Sequence, residues 1–152
     1  MTPQKILLIQ GHPDPLIAHL CHALEDAYAQ GAASAGHAVR RVAVAQLDFP
    51  LLRSQVAWEG DTLPPVLLPA QQDMAWATHL VFFFPLWLGD MPALLYRWYF
   101  RAHSVKSLER NVLGFVGMSP IHETLVGTVD KLDEAGFKKW QAKLHQLGVA
   151  AQ

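Results

Sequence analysis

Two short stretches carry the side chains and spacings from which chemistry could be built. The first, "GHPDPLIAH" (Gly11–His19), follows an apolar run and sets two imidazoles, His12 and His19, either side of a proline-rich turn. At a helix start, where backbone N–H groups lack intrahelical acceptors, such imidazoles add the donors that a phosphate needs. The stretch has neither G-x-G-x-x-G nor G-K-[ST], so it is neither a dinucleotide fingerprint nor a P-loop. The second, "PLWLGDMPA" (Pro85–Ala93), puts Leu86, Trp87 and Leu88 ahead of Gly89 at a strand exit, where polar turn residues are usual. Three large apolar groups and a glycine suit a broad, flat ligand stacked on the loop, with backbone N–H groups reaching its polar edge. Plainer alternatives stand beside both readings: His12 hydrogen-bonded within its turn, His19 solvated on a helix, and the apolar trio completing the core. His19 and His22 lie three apart and could clip a metal, but no third ligand accompanies them, so no metal site is expected. No Ser-His-Asp or Cys-His set has a recognisable context.

These loops need elements to hold them. "KILLIQ" (Lys5–Gln10), a continuous apolar run ended by Gly-His-Pro-Asp-Pro, reads as a strand buried on both faces. Leu16, Leu20, Leu24, Ala27 and Gly31, with Ile17, Cys21 and Tyr28 alongside, recur at helix spacing until Gly36 stops them. "HAVRRVAVAQL" supplies a second strand centred on Val39, Val42 and Val44. A loop with Pro50, Gly60, Pro64 and Pro65 then leads to a helix with Pro69 in its first turn and Ala70, Met74 and Ala77 on one face. "LVFFF" is a third strand, and Asp90 can cap a helix from Pro92 to about Ala102. "NVLGFVGM" (Asn111–Met118) reads as a fourth strand. Phe137, Trp140, Leu144 and Leu147 form a last amphipathic stripe closed by Gly148. Strands alternating with helices require parallel pairing through helical crossovers, which makes a three-layer α/β sandwich with ligands beyond the strands' carboxyl ends.

Composition bounds the rest. A chain of 152 residues has the size of one domain, 1–152, and 51% hydrophobic with 16% charged residues is an ordered globular balance. A net charge of −1 gives no electrostatic case for nucleic acid or an anionic membrane. The lone Cys21, amid apolar helix positions, reads as a buried structural thiol in a reducing compartment. No run approaches the ~20 apolar residues of a spanning helix, so a cytoplasmic protein is expected.

"KILLIQGHPDP", "LVFFFPLWLGDMPALL" and "LERNVLGFVGM" together resemble the flavodoxin-like NAD(P)H:quinone oxidoreductase family, which includes modulator-of-drug-activity proteins and ancillary subunits of potassium efflux systems. The resemblance spans most of the chain. It implies a flavodoxin-like fold and a homodimeric enzyme that holds FAD or FMN, takes hydride from NAD(P)H, and reduces a small quinone-like acceptor by a ping-pong route. Peripheral contact with a membrane transport protein is a further implied partnership. His12 and the helix after it would contact the flavin phosphates, with Ile17, Ala18 and His19 standing where relatives place Ser-Phe-Asn. Pro85, Leu86, Trp87, Leu88 and Gly89 would bind the isoalloxazine, whose own reactivity the loop would tune. Tyr96 and His103 fall in a stretch that carries a Tyr and a His near the flavin. The chain departs from the family in one larger respect: relatives have five strands, and no counterpart of their fourth lies between Leu88 and Asn111. That leaves a sheet of about four strands, ordered 2-1-3-4 if the last strand moves beside the third. It also leaves a second function open, that of a catalytically weak or inactive relative serving as a regulatory or assembly subunit.

Overall fold

The computed structural model describes residues 2–50, 54–60, 63–85, 113–127 and 129–152. Internal contacts divide the chain into two compact units, Met1–Pro85 with Lys138–Gln152, and Leu86–Phe137.

In the first unit, strand β1 (Lys5–Gln10) is the central strand of a parallel sheet ordered β2-β1-β3, with β2 at Ala38–Ala43 and β3 at His79–Phe83. Ile6 lies opposite Val39 on one side and His79 on the other, and the register runs unbroken to Gln10. A central strand covered on both faces must be apolar at successive positions. Ile6, Leu7 and Leu8 are accordingly all fully buried.

Helix α1 (Leu20–Ser34) covers one face and helix α3 (Leu68–Trp76) the other, while a short helix α2 (Gln55–Glu59) lies in the connection between β2 and α3. The β2 arginines show the two-sidedness directly, because adjacent strand residues point to opposite faces. Arg41 reaches Asp26 of α1 at 2.6 Å, whereas Arg40 reaches Asp73 of α3 at 2.7 Å and lies 4.2 Å from the Trp76 ring centre. That clamp matters because none of the α3 residues is buried, and Met74 of the expected apolar face stands exposed.

Helix α1 starts at Leu20, not at Leu16 as the spacing suggested. Leu16 is 90% and Ile17 63% exposed in the preceding loop. The helical period continues through them by coincidence, while Asp14 Oδ1 accepts the Leu16 N–H at 2.9 Å and holds the segment in a turn. At its far end Gly36 takes φ +81°, as a helix stop of this kind requires. Val44, expected within β2, begins a 3-10 turn (Val44–Gln46).

Helix α4 (Glu134–Ala150) begins after Asp133, whose carboxylate accepts the Gly136 N–H at 2.8 Å. Gly148 lies inside this helix, so it does not terminate it. A Cβ there would strike the Tyr28 carbonyl oxygen of α1, and one at Gly31 would strike the His145 carbonyl oxygen. Glycines on both helices thus let the backbones touch. His37, buried, ties the same corner: its Nδ1 accepts the Gln4 N–H at 3.1 Å and its Nε2 meets the Val149 carbonyl at 3.2 Å.

In the second unit, residues 113–118 form turns, with the Met118 N–H donating to the Leu113 carbonyl at 3.0 Å. The strand expected at Asn111–Met118 is not formed over these residues. Gly114 and Gly117 interrupt a short apolar run, and Gly117 adopts φ +81°, outside extended geometry. Asn111, Val112 and the helix expected from Pro92 lie outside the described residues.

Candidate functional site

The site grows from the carboxyl end of β1. Gly11 donates its N–H to the Phe83 carbonyl at 2.7 Å, which pins the start of the β1–α1 loop to the end of β3. A Cβ on Gly11 would lie 3.3 Å from the Phe84 Cβ, so this close approach favours glycine.

Beyond Gly11 the loop is held by its own side chains. Gln10 Oε1 accepts the His12 N–H at 3.0 Å, His12 Nδ1 accepts the Asp14 N–H at 3.1 Å, and His22 Nδ1 accepts the His19 N–H at 3.1 Å. Pro13 and Pro15 have no N–H to satisfy. Each imidazole that accepts at Nδ1 carries its proton at Nε2 when neutral. Those acceptor roles are local turn contacts, as the plainer reading of His12 anticipated, yet they also gather three rings. The His12 and His19 rings stack with centres 4.0 Å apart at 20°, and the His22 ring lies 5.3 Å from His12.

His19 Nε2 lies 3.0 Å from Asp14 Oδ2. That contact first, and the Leu16 N–H second, hold the Asp14 carboxyl below its ordinary value of 3.8, so it is ionised at neutral pH. Cys21, in the first turn of α1, is half-buried, and desolvation pushes its thiol up, away from a reactive thiolate. It is thus less enclosed than a core thiol.

Of the residues expected at a phosphate, His12 is buried beneath the loop, Ile17 and Ala18 are exposed on it, and His19 precedes the first turn of α1. That turn leaves N–H groups without intrahelical acceptors, and the helix dipole adds positive potential there. The arrangement fits the phosphate end of a nucleotide cofactor, with the Asp14 charge as an opposing element. Of the ring-binding set, Pro85 is half-buried just past β3, while Leu86, Trp87, Leu88 and Gly89, and likewise Tyr96 and His103, lie outside the described residues. Among the described residues no group of His, Cys, Asp and Glu is arranged to hold a metal.

Gln10, Glu25 and Arg41 were not singled out by sequence reasoning. Gln10 Nε2 donates to Glu25 Oε2 at 2.8 Å, and Arg41 Nε lies 3.7 Å from Glu25 Oε1. With His12, Pro15, His22 and the residues following β2, they line a cleft of ≈ 320 Å³ on the β2 side of the loop. The available signal was a Glu on the buried stripe of α1, between Leu24 and Tyr28.

The sequence matches the flavodoxin-like fold family over residues 4–104. The chain belongs to that family, and its parallel β2-β1-β3 core with flanking helices is the corresponding α/β arrangement. Among solved structures it is similar to an NAD(P)H:quinone oxidoreductase from Methanothermobacter marburgensis, at 17% identity and a TM-score of 0.76, over 99% of this chain and 100% of that one. It is also similar to the Smu.1420 protein of Streptococcus mutans UA159, at 17% identity and a TM-score of 0.69, over 95% of this chain and 98% of that one. No curated protein matches the sequence. No helix among the described residues is long and apolar enough to cross a membrane.

Proposed function

We propose that the protein is a flavin-dependent oxidoreductase that takes hydride from NAD(P)H and delivers it to quinones or similar acceptors, with one site serving both in turn. The observation that carries this reading is the β1–α1 loop. It is pinned to β3 through Gly11, carries stacked imidazoles, and leads into the first turn of α1, a place that suits the phosphate end of a flavin. Similarity to a quinone oxidoreductase supports the same direction. A bound flavin would supply the two-electron chemistry that no side chain of this protein offers.

The residues have divided tasks. His12 and His19, with the first-turn N–H groups of α1 and the backbone of Ile17 and Ala18, bind the phosphate. By the family resemblance, Pro85, Leu86, Trp87, Leu88 and Gly89 bind the isoalloxazine, and glycine at 89 carries no Cβ to obstruct it. By the same resemblance, Tyr96 and His103 take catalytic roles. Co-purified flavin absorbance, followed by NAD(P)H oxidation with a simple quinone, tests the proposal. Protein that is colourless and binds neither added FAD nor added FMN overturns it.

A second reading, a weak or inactive relative with an assembly role, is favoured by one observation. The ionised Asp14 carboxylate sits in the loop that must accept a phosphate. Flavin binding with little turnover would support that reading.

A further inference from the structure

We propose that Gln10 is a positioning residue for the β1–α1 loop, the middle link of a polar chain that runs from Arg41 on β2 through Glu25 on α1 to the backbone of His12. The proposal rests on the flavin reading only where flavin affinity is measured.

Glutamine and glutamate are seldom enclosed, yet Gln10 is 4% and Glu25 5% exposed. Burying a carboxylate is costly unless it is paired and hydrogen-bonded, and Glu25 receives the Gln10 Nε2–H at 2.8 Å with Arg41 Nε at 3.7 Å. Arg41 is steadied in turn by Asp26 at 2.6 Å. The Gln10 amide cannot be reversed without loss. One end meets a backbone N–H, which only donates, and the other a carboxylate, which only accepts.

Leucine in both positions would fill similar space with no desolvation cost, so the pair adds direction more than stability. What it directs is His12. With its N–H fixed to Gln10, the His12 ring is placed to stack on His19 and to receive the Asp14 N–H. Three elements thereby set one loop residue: β2 through Arg41, α1 through Glu25, and β1 through Gln10.

The test compares Gln10→Leu, Glu25→Gln and the apolar pair Gln10→Leu/Glu25→Leu with the wild type by two measurements. In nitrogen-correlated NMR spectra, Gln10→Leu is expected to shift the His12 amide and imidazole signals and to speed amide exchange at His12. Glu25→Gln, whose amide oxygen still accepts from Gln10, keeps them. If Gln10→Leu alone fails to fold, the apolar pair, which leaves no orphaned carboxylate, shows the same His12 changes in a folded protein. Unchanged His12 signals in whichever of Gln10→Leu and the apolar pair folds overturn the proposal. In the second measurement, Gln10→Leu weakens FAD or FMN binding about tenfold and adds little to His12→Ala, the non-additivity expected of residues acting through one another. Fully additive losses overturn the link through His12. A wild type that binds neither flavin refutes the flavin reading, and the His12 signals still decide the positioning role.

Discussion

Asp14 puts a negative charge in the β1–α1 loop, where the phosphate of a flavin is proposed to bind. Its pKa is lowered, so the stabilising contact with His19 is complete above the ordinary value of 3.8 and is lost as pH falls through the lower folded value. His19→Ala is expected to return the Asp14 titration toward 3.8, followed by its carboxyl carbon shift. Asp14→Asn keeps an oxygen for the Leu16 N–H while removing the charge, so FMN should bind more tightly to it than to the wild type. The gain shrinks as salt is added, and calorimetric titration at two ionic strengths checks both parts. Tyr28 titrates at the opposite extreme: burial pushes its phenol up to about 12 from 10. The unfolded chain then loses this proton first as pH rises past 10, so the Tyr28 contribution to stability is complete below that value and disappears through about 12. Comparing the alkaline unfolding of wild type and Tyr28→Phe over that window measures it, and the variant should lack the component. At this scale the sequence was informative about His12 and His19, whose types speak for themselves. It was silent about Gln10, because a glutamine ending a strand is ordinary until its two partners are seen.

The elements repeat this lesson. β1 was legible because an apolar run as short as Ile6-Leu7-Leu8, ended by Gly11 and Pro13, suits a strand covered on both sides better than a helix. The start of α1 was not, because Leu16 and Ile17 kept the period while the residue before the helix is His19, outside the usual Ser, Thr, Asp and Asn caps. Gly148 misled in another way. Near the end of a stripe it resembles a stop, but the structure uses it as the point where α4 touches α1. An alanine in a helix interior ordinarily gains about 1 kcal/mol over glycine. Here its Cβ would meet the Tyr28 carbonyl and the Ala32 nitrogen, backbone atoms that cannot swing aside. Overpacking of this kind costs roughly 1–3 kcal/mol, and contact with main chain puts it at the upper end. Gly148→Ala is therefore expected to lower stability by about 2 kcal/mol in urea unfolding. Gly36→Ala meets no neighbour, and its loss should be nearer 1 kcal/mol, from left-handed backbone alone.

For the whole molecule, alternating strands and helices pointed to a three-layer α/β sandwich and the family resemblance to a flavodoxin-like one, and the family match agrees. Turns stand at residues 113–118 where part of a fourth strand was expected, because Gly114 and Gly117 break up a run whose apolar content alone reads as extended. We propose the homodimer that the family resemblance implies, favoured also by the adjacent large aromatic residues Trp98, Tyr99 and Phe100, which lie outside the described residues. Sedimentation at micromolar concentration should show a dimer, and a monomer would remove that part of the reading. The corner where His37 meets Val149 carries a last implication, and it concerns time. That contact joins residues 112 positions apart, whereas β1, α1 and β2 follow one another directly along the chain. Closing so long a span costs entropy before it returns any contact, so α4 should dock after the barrier to folding has been crossed. The defect in Gly148→Ala would then appear as faster unfolding at an almost unaltered folding rate, the kinetic signature of a seal applied late.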